Sequence, residues 1–244
     1  MRWRLRWLQR DLMSLQPSKK MTVKTFFKQL ARGGLCSALG LLPMLSPAAL
    51  PAGVSEQKII FVRHGEKPAE GLGQLNCQGL NRALALPAVL LAKFGKPDFV
   101  FASDPHDMKV DAHQAYNYVR PLLTVAPTAV QFGLPINTSF GYEDIQGLQK
   151  ELADPRYHHA VVLVGWEHRL LEQLVKAMLK PADDVNAGAK SGVPNWKGSD
   201  FDSIYVVTVR RNGPEITTRF TLEHEQLNGQ ALACPVAAPK PATP

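Results

Sequence analysis

The sequence predicts an α/β fold: a three-layer αβα sandwich around a mainly parallel central sheet. Three observations predict it. The runs "KIIFVR" (58–63), "DFVFAS" (98–103) and "AVVLVGW" (160–166) are apolar almost throughout, as strands buried on both faces are. Segments with helical spacing follow each of them, and that alternation builds parallel sheets. Two late runs, "SIYVVTVR" and "EITTRFTL", are joined across "RNGP", a strong hairpin signal.

The elements follow in order. The strand over 58–63 stops at "HGEKP", whose Gly65 and Pro68 read as a turn. Residues 79–95 carry Leu and Ala at helical spacing and end on a Gly suited to a C-cap, with Pro87 expected to bend or interrupt the helix. After the strand over 98–103, residues 115–133 read as helix, interrupted around their prolines, and 144–152 as a short helix. The strand over 160–166 leads directly into "EHRLLEQLVKAML" (167–179), an amphipathic helix.

Composition restricts the function. Residues 1–52 hold nine Lys and Arg against one acid, while the rest of the chain holds nineteen bases and twenty acids. The basicity belongs to the leader, and without a basic cluster on the folded part nucleic acid is not an expected partner. Lys24, Lys28 and Arg32 form a basic n-region, "GGLCSALGLLPML" a short apolar h-region, and "SPAALPAG" offers small residues for cleavage. The expected organisation is an export leader over 1–52, a globular domain over 53–232 and a Pro/Ala tail over 233–244. Met21 is an alternative start, and an uncleaved amphipathic anchor is the alternative to export. Export places the domain in the periplasm or outside the cell, with no stable membrane association after cleavage. Cys77 and Cys234 follow the leader; in an oxidising compartment they pair or remain two free thiols.

In parallel α/β sheets, ligands bind beyond the carboxyl ends of the strands. Arg63 and His64 stand at the first such end, Ser103 and Asp104 at the second, and Glu167 and His168 at the third. If these ends meet, they gather two imidazoles and a guanidinium. Arg binds phosphate bidentately, and a neutral imidazole is a competent nucleophile. Phosphoryl transfer asks mainly for positioning and positive charge, and an acid to protonate the leaving oxygen.

"RHGE" closing the first strand resembles the histidine phosphatase superfamily, the phosphoglycerate mutase-like fold. "LNCQGLNRALAL" (75–86) is similar to the segment opening that family's first helix, and "VVLVGWEH" (161–168) to the strand that delivers its second His. The resemblance implies that His64 is the nucleophile that becomes phosphohistidine. It implies that Arg63 and a second Arg clamp the phosphoryl group, and that His168 completes the pocket, with no cofactor and no metal. "RPLLTVAPT" from Arg120 keeps the family's Arg-to-Thr spacing, so Arg120 is the expected second clamp, residues 104–119 carry an insertion, and Lys109 is the fallback. The general acid is expected at Glu143, then Asp144, then Glu167, with Asp144 and Glu167 also placed at the substrate. Glu66 supports the site. His106, His113, Asp104, Asp107 and Asp111 fall in the insertion, where a metal cluster or a lid is the alternative reading. His158 and His159 are expected on the opposite rim.

The expected function is a phosphatase that hydrolyses a phosphomonoester through phosphohistidine, acting on a phosphorylated small molecule or phosphoprotein. The alternative is a degenerate domain of the same fold that binds a phosphorylated ligand or a protein without turnover. A structural envelope protein with a chance "RHGE" is the third reading.

Overall fold

The computed structural model describes residues 53–179 and 192–235. The expected leader, the tail from residue 236 and the first residues of the "KSGVPNWKGSD" loop lie outside the described residues. β1 (Val54–Arg63) is an interior strand of the sheet. α1 (Cys77–Phe94), β2 (Phe99–Ala102) and the short pair β3 (Met108–Asp111) and β4 (Gln114–Asn117) follow. Next come α2 (Arg120–Phe132), β5 (Ile136–Asn137) and α3 (Ile145–Leu152). β6 (Val161–Trp166), α4 (His168–Met178) and the long hairpin β7 (Ser203–Asn212) and β8 (Glu215–His224) complete the order.

The six-stranded sheet has the order β5-β2-β6-β1-β7-β8. β5, β2, β6 and β1 are parallel, and β7 and β8 are antiparallel additions. Two apolar clusters sandwich it, as the αβα expectation requires. Ile59, Phe61, Val162, Val164 and Trp166 pack toward α3 and α4. Ile60, Val62, Val100 and Leu163 face α1 and α2. Successive residues of one strand thus serve opposite layers, the period of two that a pleated strand imposes.

The register decides where the site lies. Arg63 pairs with Trp166 across β1 and β6, and Ala102 pairs with Gly165 across β2 and β6. The carboxyl ends of the three strands are therefore level, and His64, Ser103 and Glu167 each stand one residue beyond. Gly165 lets α2 approach, since a Cβ there would collide with Val125.

Two elements depart from expectation. α1 is one helix through Pro87, so the interruption, the stronger of the two effects expected there, does not occur. The helix predicted over 115–133 begins at Arg120, because residues 114–117 pair with 108–111 instead. Ala112 and His113 turn this small hairpin with φ of 46° and 73°, the two left-handed residues that a tight hairpin demands. Among the described residues no helix is long and apolar enough to cross a membrane.

Cys77, the first residue of α1, is disulfide-bonded to Cys234. The Asn81 side chain donates to the carbonyls of Ala231 and Ala233, both at 2.8 Å. Ala233 and Cys234, assigned to the tail from sequence, are therefore tied to α1.

Candidate active site

The loop after β1 is held from several sides before any side chain chemistry enters. The His64 N–H donates to Trp166 O at 3.0 Å, and the Gly65 N–H to Thr124 Oγ1 at 3.0 Å. Thr124 Oγ1 donates in turn to Arg120 O at 2.9 Å, so the Arg-to-Thr spacing read in the sequence has a physical use. Gly65 and Gly79 let the loop lie on the start of α1: a Cβ on Gly65 would sit 2.9 Å from Gly79 O. Glu66 accepts from both Nε and Nη2 of Arg82 on α1, at 2.7 to 3.2 Å.

His64 is buried, and its Nδ1 lies 2.8 Å from Gly65 O. A carbonyl only accepts, so Nδ1 carries the proton and Nε2 keeps its lone pair. Burial, then the charges of Arg120 and Arg63, lower its pKa to about 3. The ring is therefore neutral at any ordinary pH. Tyr118 and Phe201 meet it edge-on, with ring centroids 6.0 and 6.4 Å away.

Two arginines accompany it. Arg63 Nη1 donates to Gly198 O and Asp200 O, each at 2.8 Å, and its guanidinium lies 3.7 Å from the centre of the Phe201 ring. Burial lowers its pKa to about 10, which leaves it charged. Arg120 Nη1 bonds Asp111 and Gly71 O, and its guanidinium lies 4.7 Å from the centre of the Tyr118 ring. In both arginines Nε is buried without a partner among the described residues. A buried donor left unmade is costly, and two such N–H groups beside His64 suit an anion.

His168 opens α4, and Glu167 caps that helix by accepting from the Leu170 N–H at 3.0 Å. Glu167 Oε1 lies 2.8 Å from His168 Nδ1, out of line for a hydrogen bond. Burial would raise the Glu167 carboxyl, but the His168 contact, the Leu170 N–H and the charges of His168 and Lys109 outweigh it and hold the carboxyl at about 2. His168 Nε2 has no partner among the described residues.

Arg63, His64, Arg120 and His168 are all buried at this end of the sheet, and Arg63 and Arg120 bear on His64 electrostatically. Lys109 is there too. Its Nζ lies 5.0 Å from the centre of the Tyr118 ring and 4.5 Å from that of Tyr142. Lys109 and Arg120 thus both lie at this end, close enough that the charge of Arg120 bears on Lys109. Of the carboxyl candidates, Asp144 accepts from the Gly147 N–H as the cap of α3 and Glu167 is engaged as above. Glu143 accepts from Tyr142 OH at 2.8 Å and is otherwise solvent-facing.

Sequence reasoning passed over Tyr118, Phe201 and Arg82, and considered Asp111 only as a possible metal ligand. Asp111 reaches from β3 to bind Arg120 and Lys67. Burial would raise its pKa, but Lys67 and Arg120 together lower it. Arg82 lay inside the matched "GLNRALAL" segment and was the one findable from sequence. Among the described residues no group of His, Cys, Asp or Glu is placed to hold a metal ion. Asp107 instead accepts from the Tyr142 N–H and Asp104 from the His106 N–H.

The chain matches no family model and no curated protein. Solved structures that resemble it are phosphatases by name. A mycobacterial glucosyl-3-phosphoglycerate phosphatase, in complex with inorganic phosphate, is 16% identical; the match covers 68% of this chain and 95% of that one, with a TM-score of 0.45. The phosphohistidine phosphatase candidate SixA of Nakamurella multipartitia is 15% identical, covers 67% and 87%, and has a TM-score of 0.42. Its namesake from Agrobacterium tumefaciens is 12% identical, covers 68% and 97%, and has a TM-score of 0.39.

Proposed function

We propose that this protein is a phosphatase that hydrolyses a phosphomonoester through a phosphohistidine intermediate at His64. One observation carries the reading: a buried, neutral imidazole with Nε2 as its unprotonated nitrogen, flanked by two arginines with unpartnered buried N–H groups. Nε2 attacks phosphorus and the P–O ester bond breaks. Arg63 and Arg120 hold the equatorial oxygens, and His168 adds a further donor. Glu143 gives its proton to the leaving oxygen, then takes one from the water that cleaves the N–P bond. Inorganic phosphate leaves and His64 is restored. The substrate class is a phosphorylated small molecule or phosphoprotein.

The Cys77–Cys234 disulfide supports an oxidising location, so the proposed setting is the periplasm or the exterior of a bacterial cell, reached through the leader over 1–52. A second reading, binding without turnover, has one observation in its favour: Nη1 of each arginine is already bound to the protein.

The test is hydrolysis of 4-nitrophenyl phosphate by the full chain beside His64→Ala. The expected result is turnover in the wild type, its loss in the folded variant, and acid-labile phosphate trapped on His64. Equal turnover in both proteins overturns the nucleophile assignment. Phosphate binding without turnover supports the second reading.

A further inference from the structure

The chemistry above uses Arg63, Arg120 and both histidines, and leaves Lys109 without a task. Lys109 stands on β3, in the insertion, and its side chain is packed rather than free in solvent. Its ammonium rests against the faces of Tyr118 and Tyr142, whose rings meet each other at 5.3 Å. Tyr118 is fully buried and meets His64 edge-on. One aromatic ring therefore separates Lys109 from the imidazole.

The carboxylates around Lys109 are already engaged. Asp111 holds Lys67 and Arg120, Glu167 caps α4 beside His168, and Glu143 accepts from Tyr142 OH. Lys109 forms no salt bridge among the described residues. Burial lowers its pKa, against the pull of Glu167; with no carboxylate bound to it among the described residues, the ammonium is open to an anion brought from outside. Two guanidinium groups already serve one phosphoryl group, and a compact ammonium suits a separate acidic group.

We infer that Lys109 selects ligands of the phosphate site that carry a second anionic group, a carboxylate or a second phosphate. The inference rests on the proposed phosphate site but does not need turnover. Phosphonates test it, because their C–P bond survives the proposed reaction and binding can be read on the active wild-type chain. Calorimetry compares propylphosphonate with 3-phosphonopropionate and with propane-1,3-bisphosphonate. At least one of the two dianionic-ended ligands binds about tenfold or more tightly than propylphosphonate, the span of one favourable charged contact. The tighter one names the second group.

Lys109→Gln removes this preference and Lys109→Arg retains it. Equal affinity for all three ligands, or no binding of any, overturns the inference. So does a preference that survives in Lys109→Gln, including the case where that variant weakens all three alike, which would place Lys109 on the phosphoryl group. A preference that depends on Lys109 in a protein that hydrolyses no phosphomonoester would sink the phosphatase reading and leave this inference standing.

Discussion

Arg82 clasps Glu66 from α1, with Nε and Nη2 both donating to a carboxylate two residues beyond His64. The guanidinium is buried, with 1% of its side chain exposed against 12% for the Glu66 side chain. Removing one partner of such a pair leaves a charge in the interior, at a cost of about 3–5 kcal/mol. Arg82→Met is expected to lose stability on that scale in urea unfolding, and to lose turnover because Glu66 shares the His64 loop. A loss under about 1 kcal/mol, the range of an exposed pair, would show that the clasp is not a structural requirement.

The same guanidinium faces Glu225 at 2.6 Å and Asp202 at 3.9 Å. One positive charge cannot serve three carboxylates equally. Burial raises the Glu225 pKa, Arg82 opposes the rise, and Asp202 and Glu66 add to it. A carboxyl raised on folding favours the protonated form. Its contribution is fully present below the unfolded value near 4.5 and is lost as the pH climbs through the folded value. Glu225→Gln imitates the protonated group. It should match the wild type below pH 4.5 and exceed it increasingly as the pH climbs through about 8, by more than the roughly 1.4 kcal/mol that one pKa unit is worth. Equal stabilities across that range would contradict the assignment.

His64 has the opposite sign. Its folded pKa of about 3 lies below the ordinary 6.5, so between these values the unfolded chain binds more protons. The stability tied to the neutral ring is whole above 6.5 and drains as the pH falls toward 3, at up to about 1.4 kcal/mol per pH unit. Glu167 adds to the acid loss only below its own unfolded value of 4.5. Unfolding free energies of the wild type and His64→Gln should therefore converge between pH 6.5 and 4.5 as the wild type weakens. Parallel curves across that window would mean that His64 is not held neutral by its surroundings.

The leaving group tests Glu143. With its carboxyl at about 2, Glu167 has no proton to give near neutral pH, and Asp144 is engaged as the α3 cap. If Glu143 is the acid, Glu143→Gln should lower kcat on an alkyl phosphate by about 10²–10⁴-fold. On 4-nitrophenyl phosphate, whose leaving oxygen needs no proton, the loss should be far smaller. Equal losses on both esters would remove Glu143 from the role.

The sandwich was legible in the sequence, because buried parallel strands announce themselves as apolar runs, whereas the meeting of the strand ends was a supposition until the register showed it. Arg63, His64 and His168 could be placed at strand ends, and Arg120 only through the resemblance, whose Arg-to-Thr spacing it keeps. The β3–β4 hairpin could not. Ala112 and His113 turn it with positive φ, and neither is the Asn or Gly that signals such a turn. With the hairpin hidden, the contact of Asp111 with Arg120 was hidden as well. Phe201 stands beside Arg63 although 137 residues separate Arg63 from Asp200, whose carbonyl that guanidinium binds. Such an approach follows from sheet order, which local periodicity does not contain.

The bond between Cys77 and Cys234, 157 positions apart in sequence, closes the chain between them into a covalent ring. Arg120, Glu143 and His168 lie inside that ring, whereas Arg63, His64 and Glu66 lie on the stem leading into it. A single proteolytic cut at the β3–β4 tip, or anywhere else within the ring, leaves one covalently continuous molecule until the disulfide is reduced. A cut between His64 and Cys77 has a different result. It severs His64 from both Arg120 and His168, with the disulfide still intact.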